Sequence, residues 1–152
     1  MYDEKHNIIS YRDRNGGITE KKYDDRSRLV FEKKPGGLET HYSYNELDLV
    51  TEIRDNAGWE ETRIYDKVGN LLERSCRIDE IRKQKTTYTY DRHGRMLSKT
   101  DALGNETLYS YETGFYFVSE MEAPEGIHVS YTYDKAGRNM SVSHAYGTRH
   151  YG

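Results

Sequence analysis

The chain has 152 residues, of which 32% are charged, and a net charge of −3 with both signs interspersed. That length suits one domain or a piece of a longer array, and the mixed charge offers no field for nucleic acid or an anionic membrane. A lone cysteine, Cys76, excludes an internal disulfide framework, no apolar run is long enough for a membrane-spanning helix, and no signal pattern opens the chain.

The predicted elements follow from a repeat whose unit opens with Tyr-Asp. Copies begin at Tyr2, Tyr23, Tyr44, Tyr65, Tyr90, Tyr111 and Tyr133, at spacings of 21, 21, 21, 25, 21 and 22 residues. The first unit, residues 2–22, has its mid-unit turn at Asp13-Arg14-Asn15-Gly16-Gly17, and the second, 23–43, replaces that turn with Lys34-Pro35-Gly36-Gly37. The third, 44–64, returns to Asp-x-x-Gly at Asp55–Gly58 and carries the chain's one tryptophan, Trp59. The fourth, 65–89, holds four extra residues within Arg77–Lys85, where a protruding hairpin tip is expected. The fifth, from Tyr90, is the cleanest copy: Tyr90-Asp91, Gly94, Met96-Leu97, Asp101, Gly104, then Thr107-x-Tyr109-x-Tyr111. The sixth, from Tyr111, turns at Glu122–Gly126, and the seventh, from Tyr133, decays after Tyr146-Gly147.

Thr-x-Tyr-x-Tyr alternates with period 2 in β-favouring residues, which predicts a strand with those side chains on one face. In Asp-x-x-Gly the carboxylate caps the backbone and glycine takes the φ > 0 position of a turn. Tyr-Asp-x-x-Gly is a second turn by the same logic. Two turns per unit make each unit a hairpin, and seven units predict about fourteen strands in an antiparallel meander. Leu, Ile, Val and Phe total only 26 residues, but 15 tyrosines replace them, 11 in just two slots of the unit. Stacked units place those rings in ladders, giving a thin, half-wet sheet.

Few residues invite a catalytic reading. Asp13, Asp55 and Asp101 recur beside glycine, but calcium needs six or more converging oxygens and each turn offers one carboxylate, so turn capping is the reading adopted. The six histidines show no zinc spacing, no serine sits in a nucleophile elbow, and Gly36-Gly37 opens no phosphate-binding helix. Cys76 reads as a small half-buried hydrophobe. The tyrosine ladder with interleaved arginines, or the rim loops, offers a glycan- or cell-surface-binding alternative to a purely structural role.

These residues resemble the RHS/YD-repeat family, whose pattern is close to Tyr-Asp-x-x-Gly-Arg-Leu, then Asp-x-x-Gly, then Thr-x-Tyr. Tyr90–Tyr111 and Tyr133-Asp134-Lys135-Ala136-Gly137-Arg138 match it nearly letter for letter, and the resemblance runs from Tyr2 to about Gly147. The family includes bacterial Rhs proteins, wall-associated and polymorphic toxins, the B and C components of insecticidal toxin complexes, and animal teneurins. The resemblance implies a spiralling β-sheet that forms a hollow shell, enclosing an effector in the toxins and serving as a cell-surface scaffold in teneurins. This chain is too short to close such a shell. It also lacks the terminal block ending in Asp-Pro that accompanies self-cleavage: its only prolines, Pro35 and Pro124, do not follow aspartate.

The expectation is therefore an all-β, curved or spiralling antiparallel meander over residues 1–152, a single array and a fragment of a β-shell. Its structural repeat residues are Tyr2, Tyr23, Tyr44, Tyr65, Tyr90, Tyr111, Tyr133, Asp91, Gly94, Asp101 and Gly104. The function expected is a non-catalytic scaffold that encapsulates or displays a toxin or surface domain, with no cofactor and no metal. Expected partners are further repeats or a toxin cargo in a larger parent, a glycan in the alternative reading, and a second copy through open sheet edges. The parent is expected to be secreted or bound at the bacterial surface.

Overall fold

The computed structural model describes every residue except 78–81, 113, 115, 146 and 152. Among the described residues the chain forms fourteen strands and one 3-10 turn, the strand number that seven hairpin units dictate. It divides into two compact units, Met1–Gln84 and Lys85–Gly152.

In the first unit β1 is Ser10–Arg12, β2 Ile18–Tyr23, β3 Leu29–Lys33, β4 Glu39–Tyr44, β5 Val50–Asp55, β6 Glu60–Tyr65 and β7 Leu71–Arg77. Each pairs antiparallel with the next in sequence, and ahead of β1 Tyr2 bridges Ile8. β8, Lys83–Tyr90, leads into the second unit, where β9 is Met96–Thr100, β10 Glu106–Tyr111, β11 Val118–Ala123, β12 Ile127–Tyr133, β13 Asn139–His144 and β14 Gly147–His150. Again each pairs with its successor. The sixth unit's Pro-containing turn is a 3-10 turn at Pro124–Gly126, with Glu125 at φ 64°. The hairpin tip expected in the fourth unit falls on 78–81, outside the described residues; Arg77 ends β7 and Lys83 starts β8.

Strand alternation follows the sequence pattern. In β10 Thr107, Tyr109 and Tyr111 are half-buried while Glu106, Leu108 and Ser110 are exposed. The pattern is broken at six of the seven unit-opening tyrosines. Lys22 pairs with Phe31 but Tyr23 pairs with Leu29, so Val30 is the extra residue of a β-bulge. The same slip occurs at Tyr44, Tyr65, Tyr90, Tyr111 and Tyr133. It separates the unit's paired apolar residues: Leu71 and Met96 are half-buried, whereas Leu72 and Leu97 occupy the bulge and are exposed.

Burial is shallow. Among the described residues the buried ones are Thr19, Glu61, Cys76, Ser98 and Ser141, and no large side chain is fully enclosed. Among the described residues, substantial strand contacts join chain neighbours alone, and no second layer stacks on the sheet of either unit.

Candidate functional site

The recurring constellation is a turn, its aspartate, and the tyrosine before it. In the Tyr-Asp turns the aspartate Oδ1 accepts two backbone N–H groups, from the second and fourth residues after it. For Asp91 these are His93 at 2.8 Å and Arg95 at 3.0 Å; for Asp134 they are Ala136 and Arg138. Asp3, Asp24, Asn45 and Asp66 do the same. The mid-unit turns reuse this geometry: Asp101 accepts from Leu103 and Asn105, both at 2.9 Å, as Asp13 and Asp55 do from their own turns. The second oxygen takes the side chain four residues on, Arg95 Nε at 2.7 Å for Asp91 and Asn105 Nδ2 at 2.9 Å for Asp101. These carboxylates are therefore turn caps, which is why an acceptor is needed at this slot.

Electrostatics follow the geometry. Burial raises the Asp91 carboxyl, but the Arg95 backbone and guanidinium outweigh it and hold the group down at about 2. Arg28 lowers Asp24, the Arg138 backbone and guanidinium lower Asp134, and Asn105 lowers Asp101. The fourth residue of each Tyr-Asp turn, counted from the aspartate, needs positive φ: Gly94 has φ 77° and Gly69 99°. Where glycine is missing the slot keeps its conformation, with His6 at 67°, Ser27 at 61° and Asp48 at 60°.

Five first-slot tyrosines, Tyr23, Tyr44, Tyr65, Tyr111 and Tyr133, reach back into the preceding unit. Tyr44 Oη donates to the Leu29 carbonyl at 2.6 Å, Tyr65 to Val50 at 2.9 Å, Tyr111 to Met96 at 2.7 Å and Tyr133 to Val118 at 3.0 Å. Tyr23 makes the same bond to Ile8 at 3.2 Å. For Tyr44, Tyr65, Tyr111 and Tyr133 the acceptor is the first residue of the bulged strand, so the hydroxyl ties consecutive Tyr-Asp turns together. Above the ring sits the preceding turn's arginine, Arg28 at 4.7 Å from the Tyr44 centroid and Arg95 at 4.8 Å from that of Tyr111. Arg28 also contacts Asp24 at 2.7 Å, Asp48 at 2.7 Å and the Asn45 carbonyl at 3.1 Å. In the sixth unit Phe117 takes that place and stacks on Tyr133 at 4.9 Å.

One cluster departs from the pattern. In β6 the slots that hold Thr40 and Tyr42 in β4 are filled by Glu61 and Arg63. Glu61 is 3% exposed, and its carboxylate accepts Arg63 Nε and an Arg74 guanidinium N–H, each at 2.6 Å. Arg74 outweighs burial and holds Glu61 at about 2. Cys76, also buried, sets its Sγ 3.5 Å from Glu61, and burial pushes its thiol up. The sequence signal was the break in Thr-x-Tyr-x-Tyr, Glu61-x-Arg63-x-Tyr65, which sequence reasoning passed over.

The register, turn chemistry and family motif converge in the middle of the chain, where residues 65–106 match the RHS Repeat family model. Among solved structures the chain is similar to the Photorhabdus luminescens Tc holotoxin pore, in a form with a mutated TccC3. That likeness has a TM-score of 0.54 and 16% identity, over 93% of this chain and 11% of that one. It also matches a crystal structure of TcdB2-TccC3-Cdc42 at 13% identity over 92% of this chain and 11% of that one, with a TM-score of 0.38 that carries no argument. The holotoxin likeness supports the fold: antiparallel, all-β and arranged in sequence order. The chain spans 11% of that holotoxin chain.

The expected repeat residues fall into two groups. Tyr23, Tyr44, Tyr65, Tyr111 and Tyr133 lie at bulges with their hydroxyls on carbonyls, and Tyr90 lies at a bulge between β8 and β9. Tyr2 is 63% exposed. Asp91, Gly94, Asp101 and Gly104 build the RHS turns. The constellation fixes backbone, and its chemistry is that of a frame.

Proposed function

We propose that this chain is a non-catalytic scaffold segment, a single YD-repeat array over residues 1–152 within a larger RHS-type shell that encloses or displays a toxin or surface domain. The observation that carries this reading is that each unit is a one-layer sheet with recurring side chains engaged in holding backbone: aspartates on N–H groups, tyrosine hydroxyls on carbonyls. A sheet with half-buried rings and no opposing layer is suited to being one wall of a larger enclosure, where further repeats or a cargo cover what this segment leaves open. The Tc holotoxin likeness supports the wall's fold. Localisation outside the cell or on its surface fits a parent of this kind.

The test uses the natural reading frame that contains the segment. Limited proteolysis of that protein should leave the repeat region and any polypeptide it encloses intact under conditions that digest the same polypeptide expressed alone. Equal digestion of the two would contradict enclosure.

A further inference from the structure

We propose that the cleft beside Trp59 is a binding site for a neutral pyranose sugar. The cleft is open, about 390 Å³ in volume, and lined by Arg54, Asp55, Gly58, Trp59, Glu60 and Arg77. That volume lies in the range of small-molecule sites. Trp59 is the chain's one tryptophan and is 41% exposed, so its indole supplies an apolar platform that still faces solvent. An aromatic face carries negative charge and attracts the polarised C–H groups of a sugar ring.

The polar groups around it specify the ligand class. Arg54 and Arg77 supply donors, while Asp55 and Glu60 supply acceptors. Arg54 is paired with Glu52, and Arg77 with Glu60, with Lys83 3.9 Å from Glu60. Cationic and anionic groups are thus balanced, which disfavours an anion or a nucleic acid and suits hydroxyls that donate and accept together. Asp55 caps its turn as Asp13 does, with Oδ1 alone: it holds the Ala57 and Trp59 N–H groups at 2.9 and 2.8 Å, and what sets it apart from Asp13 is the indole that follows, where Asp13 has Gly17. In the Asp91 and Asp101 turns Arg95 and Asn105 occupy the second oxygen; here that residue is Trp59, and Oδ2 has no hydrogen-bond partner among the described residues. An unoccupied carboxylate oxygen beside an exposed indole is what a pair of ring hydroxyls would fill. The scaffold reading does not depend on this site, because the recurring tyrosine and aspartate contacts do not use the indole ring.

The test is a titration of the 152-residue chain with methyl glycosides of glucose, galactose, mannose and N-acetylglucosamine, and with cellobiose and lactose, against inorganic phosphate as a control. A single tryptophan makes its emission a direct report on the cleft. The expected result is a saturable emission change with at least one sugar, matched by heat in calorimetry, weakened at least about tenfold in Trp59→Ala and retained in Trp59→Phe. If Trp59→Ala fails to fold, Arg77→Gln, which keeps the indole, should weaken the same heat. No saturable response to any sugar, unchanged affinity in both Trp59→Ala and Arg77→Gln, or a stronger response to phosphate than to every sugar would overturn the proposal.

Discussion

Tyr44, Tyr65, Tyr111 and Tyr133 place a ring on the sheet and a hydroxyl on a carbonyl of the strand that opened the preceding unit. Removing the hydroxyl alone, in Tyr44→Phe or Tyr111→Phe, should lower unfolding free energy by about 1 kcal/mol each. Tyr109 shares the face but its hydroxyl has no partner among the described residues, so Tyr109→Phe should be near neutral; urea melts of the three variants compare them. Glycines can be ranked in the same way. A Cβ at Gly104 meets open space, and only its φ of 83° opposes it, so Gly104→Ala should cost about 1 kcal/mol. At Gly137 a Cβ would also collide with the Phe117 ring, so Gly137→Ala should melt at a lower temperature than Gly104→Ala. The turns were legible from sequence because Asp101 and Gly104 act within four residues of each other. The hydroxyl's destination was not, since it lies fifteen residues back across a bulge that residue types do not announce.

At the scale of elements, the β6–β7 pair carries the one strong deviation. Glu61 joins Arg63 on its own strand to Arg74 on the next. Glu61 is buried but Arg63 and Arg74 reach solvent, 30% and 43% exposed, so water takes up part of the loss and Glu61→Gln should destabilise by about 1–2 kcal/mol. Restoring the repeat pattern with Glu61→Thr and Arg63→Tyr together should recover most of that loss, because hydroxyl and ring then replace the charges; a double-mutant cycle measures the coupling. Acid should act on the same pair. The Glu61 carboxyl sits at about 2 when folded, below its ordinary 4.5, so its contribution is complete above about pH 4.5 and is lost as pH falls toward 2. Lowered turn aspartates, Asp24, Asp91 and Asp134 among them, act in the same direction. A melting temperature that is flat down to pH 5 and then falls steeply is expected, with a gentler fall in the Glu61→Thr, Arg63→Tyr variant. Strand alternation predicted that β6 has an inward face. It could not show that a charged cluster occupies that face, because this depends on Arg74 arriving from β7.

For the whole molecule, the repeat's phase and the meander order were legible because identical turns recur at nearly constant spacing, whereas the bulge at each paired tyrosine needed the register itself. The fold leaves two kinds of surface uncovered: a face of half-buried tyrosines with no opposing layer within either unit, and strand edges such as that of β14, whose four residues are all exposed. Open strand edges template pairing with another chain, and half-exposed rings gain from being covered. Charged residues such as Lys5 and Arg14 near the first strand weaken this tendency without abolishing it. The direct test of a segment built to be covered by more protein is the mass of the isolated 152-residue chain, measured by light scattering across a dilution series. A mass of two or more chains that falls toward one on dilution is the result expected, and a monomer at every concentration would contradict the account.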